Sequence, residues 1–156
     1  MTTQNFQPVI TAFLCKWCSY AAADLAGVKR LHYPPSIRII KIPCSGNMHP
    51  EYILQAFREG ADGVWVSGCH PGNCHYNSGN LIARRRFAVF KNLLDYIGIE
   101  PERIRFSWIS SSEAANFQAM AEDVVQTITR MGPARRLVKN IIPEQGSFAG
   151  SSICQK

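Results

Sequence analysis

The chain contains no apolar run near the roughly 18 residues that a membrane span requires. Its start, Met1 to Pro8, is polar and has no basic n-region ahead of an apolar stretch. Neither a membrane span nor a signal peptide is expected, and the cytoplasm is the expected compartment. Charged residues are sparse, at 18% against 46% apolar, a balance that excludes a disordered chain. There is no internal repeat and no low-complexity segment. No nucleic-acid motif accompanies the net charge of +6, so nucleic acid is not an expected partner.

At 156 residues one domain is expected, large enough to bury a core without staples. Apolar runs alternate with helical patterns. Val9 to Leu14 predicts a first strand and Trp17 to about Leu31 a helix, broken at Tyr33-Pro34-Pro35. Ile37 to Ile42 predicts a second strand. His49-Pro50-Glu51 opens a helix, with Pro at its first position and an acid behind it; Ile53, Leu54 and Phe57 mark its buried face. Gly63 to Ser67 is a third strand, followed by a Gly-, Asn- and His-rich loop from Gly68 to Gly79 and a helix from about Leu81 to Tyr96. Ile104 to Ile109 alternates as a half-exposed edge strand should, with Arg105 and Ser107 outward. Ser110-x-x-Glu113 reads as a capping box. Behind it Ala114, Phe117, Ala121, Val124 and Ile128 form one helical stripe that ends at Gly132-Pro133. Four strands alternating with four helices predict an α/β fold, an open parallel four-stranded sheet with helices on both faces, flavodoxin- or Rossmann-like. The predicted division is an α/β domain over 1–132 and a basic tail over 133–156, which carries Arg135, Arg136, Lys139 and Lys156 against Glu144.

Six cysteines in a chain without an export signal point to metal or redox chemistry rather than disulfides. Cys15 and Cys18 follow the first strand, Cys44 the second, and Cys69 and Cys74 the third. A parallel sheet places these carboxyl ends along one edge, where open α/β sheets bind ligands, so the five thiols can converge. Four thiolates suit zinc or iron–sulfur. Small residues in the loops (Ser19, Ser45, Gly46, Gly68, Gly72, Asn73) offer backbone N–H groups to sulfur, and a fifth thiol fits a larger cluster better than tetrahedral zinc; both features favour iron–sulfur. Zinc in an interaction module and a dithiol oxidoreductase built on Cys15-Lys16-Trp17-Cys18 are the alternatives. Cys154, in the tail, is left out of the site. His70 and His75 order the loop or carry protons rather than ligate. His49 caps a helix, Trp17 shields the site or packs in the core, and Ser110–Ser112 caps the last helix. Arg84, Arg85 and Arg86 form either a solvated helix face or a docking patch for an acidic partner.

The segments Phe13-Leu14-Cys15-Lys16-Trp17-Cys18-Ser19-Tyr20, Ala23-Asp24-Leu25-Ala26-Gly27, Pro43-Cys44-Ser45-Gly46, Glu59-Gly60-Ala61-Asp62-Gly63-Val64 and Gly68-Cys69-His70-Pro71-Gly72-Asn73-Cys74-His75-Tyr76 resemble the delta subunit of methyl-viologen-reducing hydrogenase. The likeness continues through Arg86-Phe87, Gly98-Ile99-Glu100-Pro101-Glu102-Arg103 and Ser112-Glu113, covering roughly 9 to 132. The resemblance implies a [2Fe–2S] electron-transfer subunit, not catalytic alone, held by four of Cys15, Cys18, Cys44, Cys69 and Cys74. It further implies partners: a hydrogenase, formate dehydrogenase or other oxidoreductase on one side, and a heterodisulfide reductase A-type flavoprotein on the other, in assemblies capable of flavin-based electron bifurcation. Because Cys154 lies beyond the last helix, Cys154→Ser is expected to leave the EPR signal of the reduced protein unchanged. Loss of the signal would bring the tail into the site.

Overall fold

A computed structural model describes residues 6–134; the tail residues from 135 onward, Cys154 among them, lie outside the described residues. The chain forms β1 (Ile10–Cys15), α1 (Ser19–Val28), β2 (Ile37–Ile42), a 3-10 turn (Ser45–Asn47), α2 (Pro50–Arg58), β3 (Gly63–Gly68), α3 (Gly79–Tyr96), a second 3-10 turn (Pro101–Arg103), β4 (Ile104–Trp108) and α4 (Ala114–Met131). The four strands pair in parallel in the order β2-β1-β3-β4, a flavodoxin-like arrangement. Among the described residues no helix is long and apolar enough to cross a membrane.

Alternation along the central strands divides the core into two layers. Ile10, Ala12, Leu14 and Trp65 face α1 and α4, where they meet Ala22, Ala26, Phe117 and Ile128. Phe13, Val64 and Val66 face the other side and meet Ile53, Phe57, Phe90 and Leu94 of α2 and α3. The stripe expected on α4 is buried at every position. The small side chains of α1 let it lie close to the sheet and to α4. His49 caps α2 as expected, its Nδ1 accepting from Glu51 N–H.

Three expectations need correction. The first helix begins at Ser19, not Trp17, because residues 16–18 form the turn that leads from Cys15 to Cys18, and Cys18 has a non-helical backbone (φ −137°, ψ −84°). That helix stops at Val28, and Arg30 just beyond it takes a positive φ. In β4, which is the expected edge strand, Ser107 is buried rather than outward. The indole of buried Trp65 needs an acceptor, and Ser107 Oγ supplies it at 2.8 Å while donating to Ser67 Oγ at 3.1 Å.

At the amino edge of the sheet, opposite the cysteines, Arg103 is only 3% exposed. Its guanidinium donates to Glu100 and to the carbonyls of Asp62, Gly132 and Pro133. Asp62 in turn accepts from the N–H groups of Val9 and Ala134. This hub ties the start of β1, the start of β3 and the end of α4 together. Arg103→Leu leaves part-buried carbonyls without this donor and is expected to cost on the order of 2 kcal/mol in denaturant unfolding. A variant as stable as the parent would show that the hub holds nothing.

Candidate metal centre

The order β2-β1-β3-β4 determines where the thiols go. From β1 the chain leaves toward β2, and from β3 toward β4, so a crevice opens above the adjacent carboxyl ends of β1 and β3. Cys15 is the last residue of β1 and Cys18 the residue before α1. Cys44 precedes the 3-10 turn after β2, and Cys69 and Cys74 lie in the loop after β3. All five candidate cysteines, four of which were expected as ligands, are buried, free of disulfides, and form one cluster. The sulfurs of Cys15, Cys18 and Cys69 lie within 4.8 Å of one another, with Cys15 Sγ 4.0 Å from Cys69 Sγ. Cys44 and Cys74 form a second group around Gly79: a Cβ at that glycine would lie 2.4 Å from Cys44 Sγ and 3.3 Å from Cys74 Sγ.

The crevice is closely built. A Cβ on Gly46 would sit 2.6 Å from the Gly79 backbone, and one on Gly68 would sit 2.3 Å from Ser45 Oγ. Ser19 Oγ accepts from Cys15 N–H at 3.0 Å and donates to Ser67 O at 2.9 Å, locking β1, α1 and β3 together beneath the sulfurs. Asn80 Nδ2 donates to Cys69 O and His70 O, and its Oδ1 accepts from Leu81 N–H. Arg86 reaches Gly46 O at 3.0 Å and pins the turn behind Cys44 to α3. Sequence reading missed Asn80 and this role of Arg86. The only signal for Asn80 was its place between the cysteine loop and the expected helix start, and nothing local marks the Arg86 contact forty residues away.

Burial disfavours thiolates, and backbone N–H groups oppose it. Cys15 is lowered to about 6: a hydrogen bond from the Cys18 thiol contributes most, burial opposes it, and the N–H groups of Trp17 and Ser45 assist. Cys18 is raised, first by giving that hydrogen bond and then by burial. Burial pushes Cys44 up to about 11 despite the Gly46 N–H, and it raises Cys69, which also takes the His75 N–H. At Cys74 burial is outweighed by the N–H groups of Asn80, Tyr76 and Gly79, and the net shift is downward.

Neither loop histidine turns to the sulfurs for a partner. His70 Nε2 donates to the Glu113 carboxylate at 2.7 Å, and the same oxygen accepts from Ser110 N–H. Glu113 is lowered, chiefly by that Ser110 bond and then by His70. The expected capping box is not formed as drawn: the helix begins at Ala114 with Glu113 at its N-cap and no side-chain cap bond, and the carboxylate instead accepts from Ser110 N–H in the turn before it. His75 stacks on Trp17 at 3.8 Å. Trp17, at 42% exposed, lies at the surface against the His75 and Tyr76 side chains of the cysteine loop instead of packing in the core. The three arginines are divided too: Arg86 holds Gly46, and Arg84 lies over the Trp108 ring.

A family profile described as methyl-viologen-reducing hydrogenase, delta subunit, matches residues 10–132. The chain belongs to that family. It is 52% identical over 130 residues to the iron-sulfur D subunit of the F420-non-reducing hydrogenase vhc of Methanococcus voltae, covering 83% of this chain and 90% of that protein. It is 47% identical to the iron-sulfur D subunit of the F420-non-reducing hydrogenase of Archaeoglobus profundus, over 84% of this chain and 96% of the relative. It is also 45% identical to part of the A subunit of the ferredoxin:CoB-CoM heterodisulfide reductase of Methanosarcina mazei, where 81% of this chain corresponds to 16% of the longer protein. The delta-subunit match takes in all five clustered cysteines and ends at the residue that closes α4.

The close approach at Gly79 is directly testable. Gly79→Ala places a methyl group against both Cys44 and Cys74 and is expected to destabilise by about 1–3 kcal/mol through overpacking. Gly72→Ala is no control because of its positive φ, but Gly27→Ala is, since a Cβ there meets nothing. Denaturant unfolding in which both variants match the parent would refute the crowding.

Proposed function

We propose that this chain is an electron-relay subunit that binds one [2Fe–2S] cluster and passes single electrons between a hydrogenase and a heterodisulfide reductase A-type flavoprotein. The observation that carries this reading is the convergence of five buried thiols in one crevice at the switch point of the sheet. The names of the relatives, iron-sulfur subunits of hydrogenases and a subunit of a heterodisulfide reductase, support the two partners.

The residues fit such a cluster. Cys15, Cys44, Cys69 and Cys74 each take backbone N–H groups on sulfur, which stabilise bound thiolate and tune potential. They fall into two pairs, Cys15 with Cys69 and Cys44 with Cys74, and two thiolates per iron is what a four-cysteine [2Fe–2S] site takes. Cys18 is raised by the hydrogen bond it gives Cys15 and by burial, and in this reading it keeps its proton and donates to Cys15. When bound, the cluster supplies one-electron oxidation and reduction at low potential. The chain's own contribution is to hold the ligands, bury them away from water, and set the sulfur hydrogen bonds. The dithiol alternative gains from the unequal shifts at Cys15 and Cys18, but Cys15 is 1% exposed and a substrate disulfide has no path to it.

Each of the five cysteines is to be changed to Ser and the protein purified without oxygen. Cys15, Cys44, Cys69 and Cys74 variants are expected to lose most iron, sulfide and visible absorption, and Cys18→Ser to retain them. Full iron in any of the first four would overturn the ligand set. A colourless wild type loaded with zinc would overturn the function.

A further inference from the structure

The relay reading leaves open where a partner docks, and the carboxyl edge of the sheet carries three independent features that bear on it. The first is depth. An electron exchange falls off steeply with distance, so a partner must sit where the sulfurs come nearest the surface. Cys44 at 7% and Cys74 at 9% are the least buried of the five. Cys44 lines an open groove of about 370 Å³ together with Pro43, Asn47, Tyr76, Gly79 and Ile82, and Cys74 Sγ lies 3.3 Å from where a Cβ on Gly79 would stand.

The second feature is apolar surface. Trp17, Tyr76 and Ile82 are exposed around that groove. They are not loose. Trp17 is stacked on His75, its indole N–H reaches the Tyr76 hydroxyl at 3.4 Å, and the Tyr76 ring meets His75 edge-on. Aromatic side chains already fixed in place cost little to order when a partner covers them, and exposed aromatics at the heart of a patch are typical of docking surfaces.

The third feature is charge. Lys16 lies over the Trp17 ring, Lys41 over Tyr20 and Arg84 over Trp108. These contacts place three cations around the crevice from the β2 side to the β4 side. Among the described residues, none of the ion pairs engages any of the three. The loops and first helical turns at this edge contain two acids, Glu51 and Glu113, and each holds a histidine. The ring of charge therefore has no counterpart within the described residues. An acidic partner supplies it, with steering of encounter as the main effect.

We propose that the carboxyl edge, centred on the Cys44–Gly79 groove, is the docking face for a redox protein that presents acidic residues around an apolar patch. The proposal rests on the relay reading above, and the partner at hand is the heterodisulfide reductase A-type flavoprotein. A rival surface exists on the outer side of α3, where Val89 and Leu93 are exposed beside Arg85, but it lies away from the sulfurs.

The test uses the full cluster-loaded chain, reduced and mixed in stopped flow with the purified heterodisulfide reductase A-type flavoprotein from the same organism. Lys41→Glu combined with Arg84→Glu is expected to slow the second-order reaction about tenfold at low salt. That difference should fade as ionic strength shortens the Debye length toward about 8 Å and below. Ile82→Glu is expected to slow it at all salt concentrations, and Val89→Glu to leave it unchanged. Iron content, the EPR spectrum and the midpoint potential are measured on every variant and are expected to match wild type. Unchanged rates in the charge and Ile82 variants overturn the docking face, as does slowing only by Val89→Glu, or slowing accounted for by a shifted midpoint potential. A wild type that carries a cluster and reacts while the variants behave alike removes the face and leaves the relay. A wild type with no iron–sulfur cluster removes both.

Discussion

Two hydrogen-bonded parallel strands whose chains leave in opposite directions cannot cover the space above their own carboxyl ends. Here those strands are β1 and β3, and the rest of the centre follows from that opening. Cys15 ends one strand and Cys69 follows the other, so pairing between the strands alone brings two sulfurs to 4.0 Å. The remaining three arrive from loops that have to pass the same opening. The price of the arrangement is close packing at glycine. Gly46 and Gly79 pass backbone against backbone, and neither position has room for a Cβ.

Most of the fold was legible because one side-chain period dominated each segment. The α4 stripe and the strand alternation each describe a face packed on a single layer, and the structure buries those residues as expected. The failures have a common cause. Ser107 looked like a solvent position in an alternating edge strand, but Trp65 on the neighbouring strand needed a hydrogen-bond acceptor, and a local pattern carries no trace of a neighbour forty-two residues earlier. Trp17 looked like the start of a helix, but residues 16–18 form the turn between two cysteines, and the indole, expected either to shield the site or to pack in the core, lies at the surface against His75. The five cysteines were legible as a set because topology, not side-chain packing, gathers them. Their division into two groups was not, since it depends on how the β3–α3 loop folds back over Gly79.

The arginine run shows how a charge cluster is used. Read in sequence, Arg84–Arg86 is one patch. On α3, successive residues point about a hundred degrees apart, so each arginine meets a different neighbour. Arg86 turns to the Cys44 turn and Arg84 to the last residue of β4. Arg85 lines the outer groove with Val89. One helix turn thus contributes to positioning a ligand, to the charge around the crevice and to the outer surface.

Five sulfurs in one buried crevice raise a problem of like charge. Were all of them thiolates, mutual repulsion and lost hydration would oppose closure of the loops. The shifts show how the charge is kept down. In the Cys15–Cys69 pair Cys15 is biased toward thiolate and Cys69 toward thiol; in the Cys44–Cys74 pair Cys74 is biased toward thiolate and Cys44 toward thiol. Each group therefore holds one acceptor for a hydrogen bond and one donor, and Cys18 adds a donor to Cys15. The backbone N–H groups fall on both groups, so charge that does form is solvated by fixed dipoles rather than by water.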